Sequence, residues 1–179
     1  TIKSALESMG FKGLKDVRHE ELLASAKILG VKQVYFLDFV DGSLNNNLYH
    51  QLEDKLKNLL DSLTPDTLIT FHPNGVSGHI DHIVVTSVVN HLFPKLPYLK
   101  KIMYFCQKDV VREKISDYFV YMPPGRSRTE IDEVIDVSRQ WDTKVRAMYA
   151  HISQKSDCDW ILPILESLPK EEWFRVRSK

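Results

Sequence analysis

Residues 67–93 read TLITFHPNGVSGHIDHIVVTSVVNHLF and combine the signals of a strand, a loop and a helix. Residues 67–71 are short, β-branched and apolar, which is typical of a strand that is covered on both faces. The loop that follows contains Ser77, which can cap a helix that begins near His79 and ends at about Phe93. This β-loop-α unit predicts an α/β protein whose ligand site lies at the carboxyl end of the strand.

The same alternation of strands and helices continues along the rest of the chain. Leucines spaced by three and four residues over 48–63 predict an amphipathic helix, and the aromatic, apolar run over 33–40 predicts a buried strand. The other predicted elements are helices over 16–29 and 138–152 and strands over 101–106, 118–122 and 129–137. This order indicates a Rossmann-like α/β fold with a mainly parallel sheet and helices on both faces.

The composition excludes several classes of partner. The chain balances 24 Lys and Arg with 24 Asp and Glu, so it has no broad basic field that would attract nucleic acid or a membrane surface. Its length predicts one domain over residues 1–179. Cys106 and Cys158 have no metal-like spacing, and no apolar run reaches the roughly 20 residues that span a bilayer, so a cytoplasmic protein is expected. The first residue is not Met, so an upstream targeting segment is left open.

Residues 72–82 hold three of the seven histidines and one aspartate. In a helix that begins near His79, the side chains of His79 and His82 are neighbours on the first turn. One neutral imidazole can bind zinc while a second acts as a general acid or stabilises an oxyanion, and Asp81 can orient the second ring. An HxxH pair at a helix start is commonly a surface feature without a metal, so the spacing alone leaves the site open. A nucleotide site is disfavoured, because the chain has neither a GxGxxG nor a GxxxxGKS/T loop.

Four short motifs of this chain occur together in one known family. Gly78-His79-Ile80-Asp81-His82, after His72-Pro73-Asn74-Gly75, resembles a GHxDH box that follows an HPxG loop. The other three matches are Arg18-His19-Glu20-Glu21 with Ala26 and Leu29-Gly30-Val31, then Phe36-Leu37-Asp38-Phe39-Val40-Asp41-Gly42, and finally Asp136-Val137-Ser138 with Lys144, Ala147, His151, Ser153 and Gln154. Together they make residues 14–155 similar to the LmbE-like, or PIG-L-like, zinc-dependent N-acetylglucosaminyl deacetylases.

The resemblance implies a hydrolase that binds Zn²⁺ and converts an N-acetylglucosamine-type substrate, a small amino-sugar conjugate, into a free amine and acetate. His82 matches the family's zinc-ligating histidine. His79 matches the catalytic histidine that stabilises the tetrahedral intermediate or protonates the leaving amine, and Asp81 matches the aspartate that polarises His79. The aglycone of the substrate is left open, as is a homo-oligomeric state.

Two more residues are candidates on the substrate side. Arg18 matches an arginine that the family associates with the substrate, and His151 belongs to a motif near the pocket. From the residues alone, Arg18 could equally form an ion pair with Glu21 on a solvated helix face, and His151 could serve a helix C-terminus. Asp38 and Asp41 are interpreted as turn residues.

One signature of the family is missing from this chain. The family's HPDD box supplies the remaining zinc ligands and the general base, and residues 1–179 contain nothing similar. The resemblance therefore implies a domain that is incomplete at its N-terminus, with its first βα units upstream of Thr1, and a chain that alone is inactive. The alternative hypothesis is a non-catalytic sugar-binding or subunit-forming relic of the same fold.

Overall fold

The computed structural model describes residues 13–115, 117 and 119–179, which contain both helices and strands. The elements are α1 (Leu14–Leu29), α2 (Tyr49–Leu63), β1 (Thr67–Phe71), α3 (Ile80–Leu92), β2 (Lys101–Cys106), α4 (Asp109–Arg112), β3 (Glu133–Asp136), α5 (Trp141–Tyr149), α6 (Lys155–Glu166) and β4 (Glu171–Ser178). Short 3-10 turns occupy Arg128–Glu130, Ser138–Gln140 and Ile152–Gln154. None of these helices is long and apolar enough to cross a membrane.

The described residues form two compact units. One unit contains residues 13–36 and 136–170, and the other contains residues 37–135 and 171–179. The single deacetylase domain predicted over residues 1–179 stays a prediction.

The first unit is helical. α1 ends at Gly30, where a φ of 72° lets the backbone N–H turn back towards the carbonyls of Ala26 and Lys27. α1 packs against α5. The helix predicted over 138–152 is interrupted, because residues 138–140 form a 3-10 turn and the backbone leaves the helical region at His151, with a ψ of 71°.

The second unit contains an open sheet of four strands in the order β1-β2-β4-β3. β1 and β2 are parallel, with Thr67 opposite Lys101 and Phe71 opposite Phe105. β4 runs antiparallel to β2, with Cys106 opposite Trp173. The α/β class is therefore confirmed, and the predicted mainly parallel sheet is corrected to a mixed one. An antiparallel strand is a common addition to an otherwise parallel sheet.

Three predicted strands differ from the structure. Residues 33–40 form no strand: Asp38 has a φ of 59°, which breaks the extended backbone, and the Lys55 ammonium donates to the Leu37 carbonyl at 2.7 Å. Only Glu133–Asp136 of the strand predicted over 129–137 is present, because the residues before it form a 3-10 turn. Tyr118, the first residue of the strand predicted over 118–122, lies outside the described residues, and residues 119–122 form no strand.

The core of the second unit lies between α2, α3 and the β1-β2 pair. Three side chains have no solvent exposure: Leu92 of α3, Ile102 of β2, and Leu99, which precedes β2. Leu52 and Leu60 pack against them from α2. The burial of Leu52 and Leu60 confirms the leucine spacing that predicted α2, and the strand predicted over 101–106 is present as β2. α3, which carries the histidines of the candidate site, is thus fixed against β1 by apolar packing.

Candidate active site

The loop between β1 and α3 is tightly bonded to itself. His72 donates its backbone N–H to Phe105 of β2 at 3.1 Å, and the His72 carbonyl accepts the Gly75 N–H at 2.7 Å. Gly75 and Gly78 have φ values of 79° and 83°, a conformation that glycine adopts without strain. Val76 also has a positive φ, of 66°, which is unfavourable for a β-branched residue and is a form of strain that clusters at functional sites.

His79 caps α3, a role that the sequence assigned to Ser77. The His79 backbone is extended, with a φ of −61° and a ψ of 125°, and its Nδ1 accepts the Asp81 N–H at 3.1 Å. The prediction of Ser77 as the cap is wrong, because α3 begins at Ile80 and its preceding residue is His79. An accepting Nδ1 leaves the proton of the neutral ring on Nε2. That Nε2 lies 3.9 Å from an oxygen of Asp41.

His82 is held in the opposite tautomer. Its Nδ1 lies 2.9 Å from the Gly75 carbonyl oxygen, which can only accept, so Nδ1 carries the proton and Nε2 has a free lone pair. The ring stacks on Phe71 at 3.7 Å between centroids, and the centroids of His79 and His82 are 4.9 Å apart. Burial lowers the pKa of His82, which favours the neutral ring.

This arrangement of His82 fits a zinc ligand. A histidine that binds a metal usually donates its other ring N–H to a carbonyl or carboxylate, which fixes the tautomer and the ring orientation. Gly75 provides that carbonyl here. The ring nitrogen that remains is an unprotonated Nε2, the form in which imidazole binds zinc.

Asp81 connects the start of α3 to the loop after residue 40. One carboxylate oxygen accepts the Gly42 N–H at 2.7 Å, and the other accepts the Leu44 N–H at 3.0 Å. The contact between Asp81 and His79 is made by the Asp81 backbone. The role that the family resemblance gives to the Asp81 carboxylate therefore stays a prediction.

Asp41 is a candidate that the sequence interpretation missed. One ligand atom each from Asp41, His79 and Asp81 lies within 4.8 Å of the others, a spacing that could hold a metal ion. Both Asp81 oxygens already accept backbone N–H groups, and Asp41 is 90% exposed. The signal available in the sequence was Asp41-Gly42 at the end of the matched 36–42 motif, and Asp41 was interpreted there as a turn residue.

A second polar cluster lies at the other end of the β1–α3 loop. Asn74 donates its backbone N–H to His72 Nδ1 at 3.3 Å, and burial lowers the pKa of His72. Arg126 Nη2 lies 3.4 Å from His72 Nε2, while Arg126 Nη1 donates to Glu130 at 2.7 Å. No local sequence signal links Arg126 to His72, because the two residues meet only through the pairing that follows β2.

Arg18 and His151 belong to the helical unit of residues 13–36 and 136–170. Arg18 Nη1 lies 4.0 Å from Glu21 and 3.5 Å from the Ser153 hydroxyl. Glu21 is buried and accepts both the backbone N–H and the hydroxyl of Ser153, at 2.6 and 2.7 Å. The ion pair between Arg18 and Glu21 is thus present, and the substrate role of Arg18 stays a prediction.

His151 follows the last turn of α5 and precedes a 3-10 turn. His151 lines a cavity of about 250 Å³ together with six other residues, which are Met148, Gln154, Asp157, Cys158, Trp160 and Ile161. No contact within the described part of the chain assigns a function to this imidazole, so its substrate role also stays a prediction.

Comparison with known proteins identifies distant relatives. Two probable N-acetyl-α-D-glucosaminyl L-malate deacetylases match: one from Bacillus anthracis, 22% identical over 143 residues, and one from Bacillus cereus, 26% identical over 141 residues. The matches cover 80% and 77% of this chain, and 58% and 57% of those proteins. The chain therefore spans less than two thirds of the length of these curated relatives.

The fold also matches a solved structure. The crystal structure of GalB, the 4-carboxy-2-hydroxymuconate hydratase of Pseudomonas putida KT2440, superposes with a TM-score of 0.60 and 15% identity, covering 92% of this chain and 72% of that one. At this identity the likeness concerns the fold alone. The family model of PIG-L, GlcNAc-PI de-N-acetylase, matches residues 2–93, which is just over half of the chain. The GHIDH box and its β1–α3 loop lie within that match, and the chain belongs to the PIG-L family.

Proposed function

We propose that this protein is a zinc-dependent hydrolase that removes the acetyl group from an N-acetylglucosamine-type conjugate. The observation that carries the proposal is the pair of complementary imidazoles at the start of α3. His82 has a free Nε2 lone pair, and His79, 4.9 Å away between ring centroids, has its proton on Nε2. One ring can bind a metal, and the other can donate a hydrogen bond to an oxyanion. The family's deacetylase members support this chemistry.

His82 is the residue of this chain that would hold zinc. Zinc in such a site, when bound, lowers the pKa of a water molecule to about 7 and polarises a carbonyl oxygen. The Gly75 carbonyl keeps the His82 ring in the orientation that offers Nε2, and Phe71 covers one face of the ring. The family resemblance assigns the other ligands to the HPDD signature, which residues 1–179 do not contain.

His79 acts at its Nε2 atom. The Asp81 N–H occupies Nδ1, so the neutral ring presents a single N–H at Nε2. This N–H donates a hydrogen bond to the oxygen of the acetamide as negative charge develops there. The leaving amine would take its proton from the general base of the family's HPDD signature, which gains that proton from the attacking water. The Asp41 carboxylate lies 3.9 Å from His79 Nε2.

Asp81 and Arg18 have supporting roles in this proposal. Asp81 holds the loop at Gly42 and Leu44 next to the start of α3, which keeps Asp41 near His79. Arg18 would bind a substrate hydroxyl or anion, as its match to the family motif suggests, and His151 would line the substrate pocket.

Substitution of each histidine by alanine tests the assignment in the full-length protein. His82→Ala removes a metal ligand, so we expect bound zinc to fall steeply and activity to return in part with excess zinc. His79→Ala keeps its zinc and loses roughly 10²- to 10³-fold in kcat, the usual effect of removing one oxyanion donor or general acid. Zinc content is measured by elemental analysis, and free amine is measured from an N-acetylglucosamine conjugate.

His91→Ala is the matched control, because His91 lies on α3 and is 51% exposed. It should retain both zinc and activity. Full zinc in His82→Ala, or wild-type kcat in both site variants, would show that the roles of the two histidines are wrong.

A further inference from the structure

The guanidinium of Arg126 is only partly satisfied by the protein. Nη1 is bonded to Glu130 at 2.7 Å, which fixes the side chain. Nε is buried and has no partner within residues 13–115, 117 and 119–179. Nη2 faces His72 Nε2 at 3.4 Å. Buried donors in folded proteins almost always have an acceptor, so an arginine fixed in this way calls for an explanation.

The tautomer of His72 makes the contact with Arg126 a meeting of two donors. His72 Nδ1 accepts the Asn74 N–H, so the proton of the neutral ring is on Nε2. The guanidinium has donors only. His72 Nε2–H and Arg126 Nη2–H therefore cannot bond to each other, and both need an acceptor from elsewhere.

An anion fits this need better than a neutral group. Carboxylate and phosphate oxygens only accept hydrogen bonds, and their geometry matches the planar guanidinium. Both side chains are partly exposed, with 32% exposure for Arg126, so a ligand can reach the two N–H groups.

This pair of donors shares a loop with the proposed zinc ligand. The His72 carbonyl accepts the Gly75 N–H, and the Gly75 carbonyl bonds to His82 Nδ1. We propose that His72 and Arg126 form a subsite for an anionic group, a carboxylate or a phosphate, on the aglycone of the amino-sugar substrate. The substrate part of this inference rests on the proposed deacetylase function.

The tautomer of His72 tests the subsite without any enzyme turnover. Long-range ¹H–¹⁵N NMR spectra of the imidazoles, with His72 assigned by the loss of its signal in His72→Gln, should show the Nε2–H form. Inorganic phosphate and L-malate are then titrated separately against sodium chloride at equal ionic strength. We expect a saturable shift of the His72 Nε2 signal with at least one of these anions. An Nδ1–H tautomer, or no saturable shift with either anion, would overturn the proposal.

Removal of the guanidinium identifies its contribution. Arg126→Gln should weaken the binding of the effective anion by about tenfold to 100-fold, the usual loss for a hydrogen bond to a charged group. Arg128→Gln is the matched control, because Arg128 is exposed, lies two residues from Arg126, and its loss changes the net charge equally. Melting temperatures show whether each variant is folded. Equal weakening in the two folded variants would mean that only net charge matters and would reject the subsite.

Kinetics connect the subsite to the substrate. Arg126→Gln should raise KM about tenfold or more for a substrate with a malate or a phosphodiester aglycone, with kcat retained and with no change for neutral N-acetylglucosamine. A preference for the malate or for the phosphodiester substrate identifies the source of the anion. If anions bind at His72 but no substrate is deacetylated, the proposed function fails and the subsite remains. If substrates are deacetylated and Arg126→Gln changes KM equally for charged and neutral substrates, the proposed subsite is wrong.

Discussion

The two imidazoles at the start of α3 differ because different backbone groups bond to their Nδ1 atoms. An N–H from Asp81 approaches His79, while a carbonyl from Gly75 approaches His82. The N–H that approaches His79 Nδ1 leaves the ring proton on Nε2, whereas the carbonyl that approaches His82 Nδ1 keeps the ring proton on Nδ1. The division of roles proposed for the two residues thus originates in the β1–α3 loop and the first turn of α3.

Gly78 is the residue of this loop that should be least tolerant of a side chain. A Cβ at this position would lie 2.1 Å from the Tyr121 carbonyl oxygen, in addition to the strain of a φ of 83°. We expect Gly78→Ala to lower the free energy of unfolding by about 2–4 kcal/mol. Gly42→Ala separates the two effects, because Gly42 has a φ of 76° and open space around it. Gly42→Ala should lower the free energy of unfolding by only about 1 kcal/mol. Urea titration measures both variants, and equal losses would contradict the clash at Gly78.

Glu130 should make the stability of its turn depend on acidic pH. The Ser127 N–H, Arg126 and the Ser127 hydroxyl all donate to the Glu130 carboxylate and hold its pKa at about 2, below the ordinary 4.5. A lowered pKa means that the contribution is fully present above about pH 4.5 and is lost as the pH falls towards 2.

The difference in melting temperature between the wild type and Glu130→Gln should therefore narrow from pH 6 to pH 3. Glu113→Gln removes an exposed carboxylate after α4 and is the control for the loss of one negative charge. A constant difference for Glu130→Gln across this range would contradict the role of its charge.

The residues of the GHIDH box could be predicted from the sequence, whereas their partners could not. The i, i+3 spacing of His79 and His82 depends only on a helix start, which local composition signals. The contacts of Asp81 with Gly42 and of Arg126 with His72 join residues that are distant in sequence. One sequence without aligned relatives carries no signal for such pairs.

At the scale of elements, helices were predicted better than strands. A helix forms its backbone hydrogen bonds within itself, so the local leucine spacing is enough to predict α2 and its buried face. A strand needs a partner, and residues 33–40 have the composition of a strand but a backbone broken at Asp38. β4 was missed for the opposite reason. Trp173 and Phe174 of this strand are buried, but the charged residues around them hide the apolar pattern of a strand in the sequence.

Thr86 should be the polar residue that connects α3 to β1 most strongly. It has no solvent exposure, and its hydroxyl donates to the Phe71 carbonyl at 2.9 Å. Thr86→Val keeps the shape but leaves that carbonyl without this donor, so we expect a loss of about 1–3 kcal/mol. Ser87→Ala removes an exposed hydroxyl on the next residue and should cost less than about 0.5 kcal/mol. Similar losses in the two variants, measured by thermal unfolding, would contradict this link.

At the scale of the whole molecule, the sequence predicts the α/β class but not its chemistry. The balanced charge and ordinary composition argue against nucleic acid and membrane partners, but they do not identify a substrate. A shared fold hosts unrelated activities, so function has to be argued from side chains and their geometry. In this protein that geometry depends on a core that holds α3 against β1 and β2.

Leu92 is the residue whose loss should weaken that core most clearly. It has no solvent exposure and belongs to the apolar cluster shared by α2, α3 and β2. Leu92→Ala leaves a cavity and should lower the free energy of unfolding by about 2–5 kcal/mol. Leu63→Ala makes the same chemical change at the end of α2, where the side chain is 46% exposed, and should cost about 1 kcal/mol or less. Urea unfolding followed by circular dichroism measures both values. If Leu92→Ala cost no more than Leu63→Ala, the packing of α3 would not be what holds the candidate site in place.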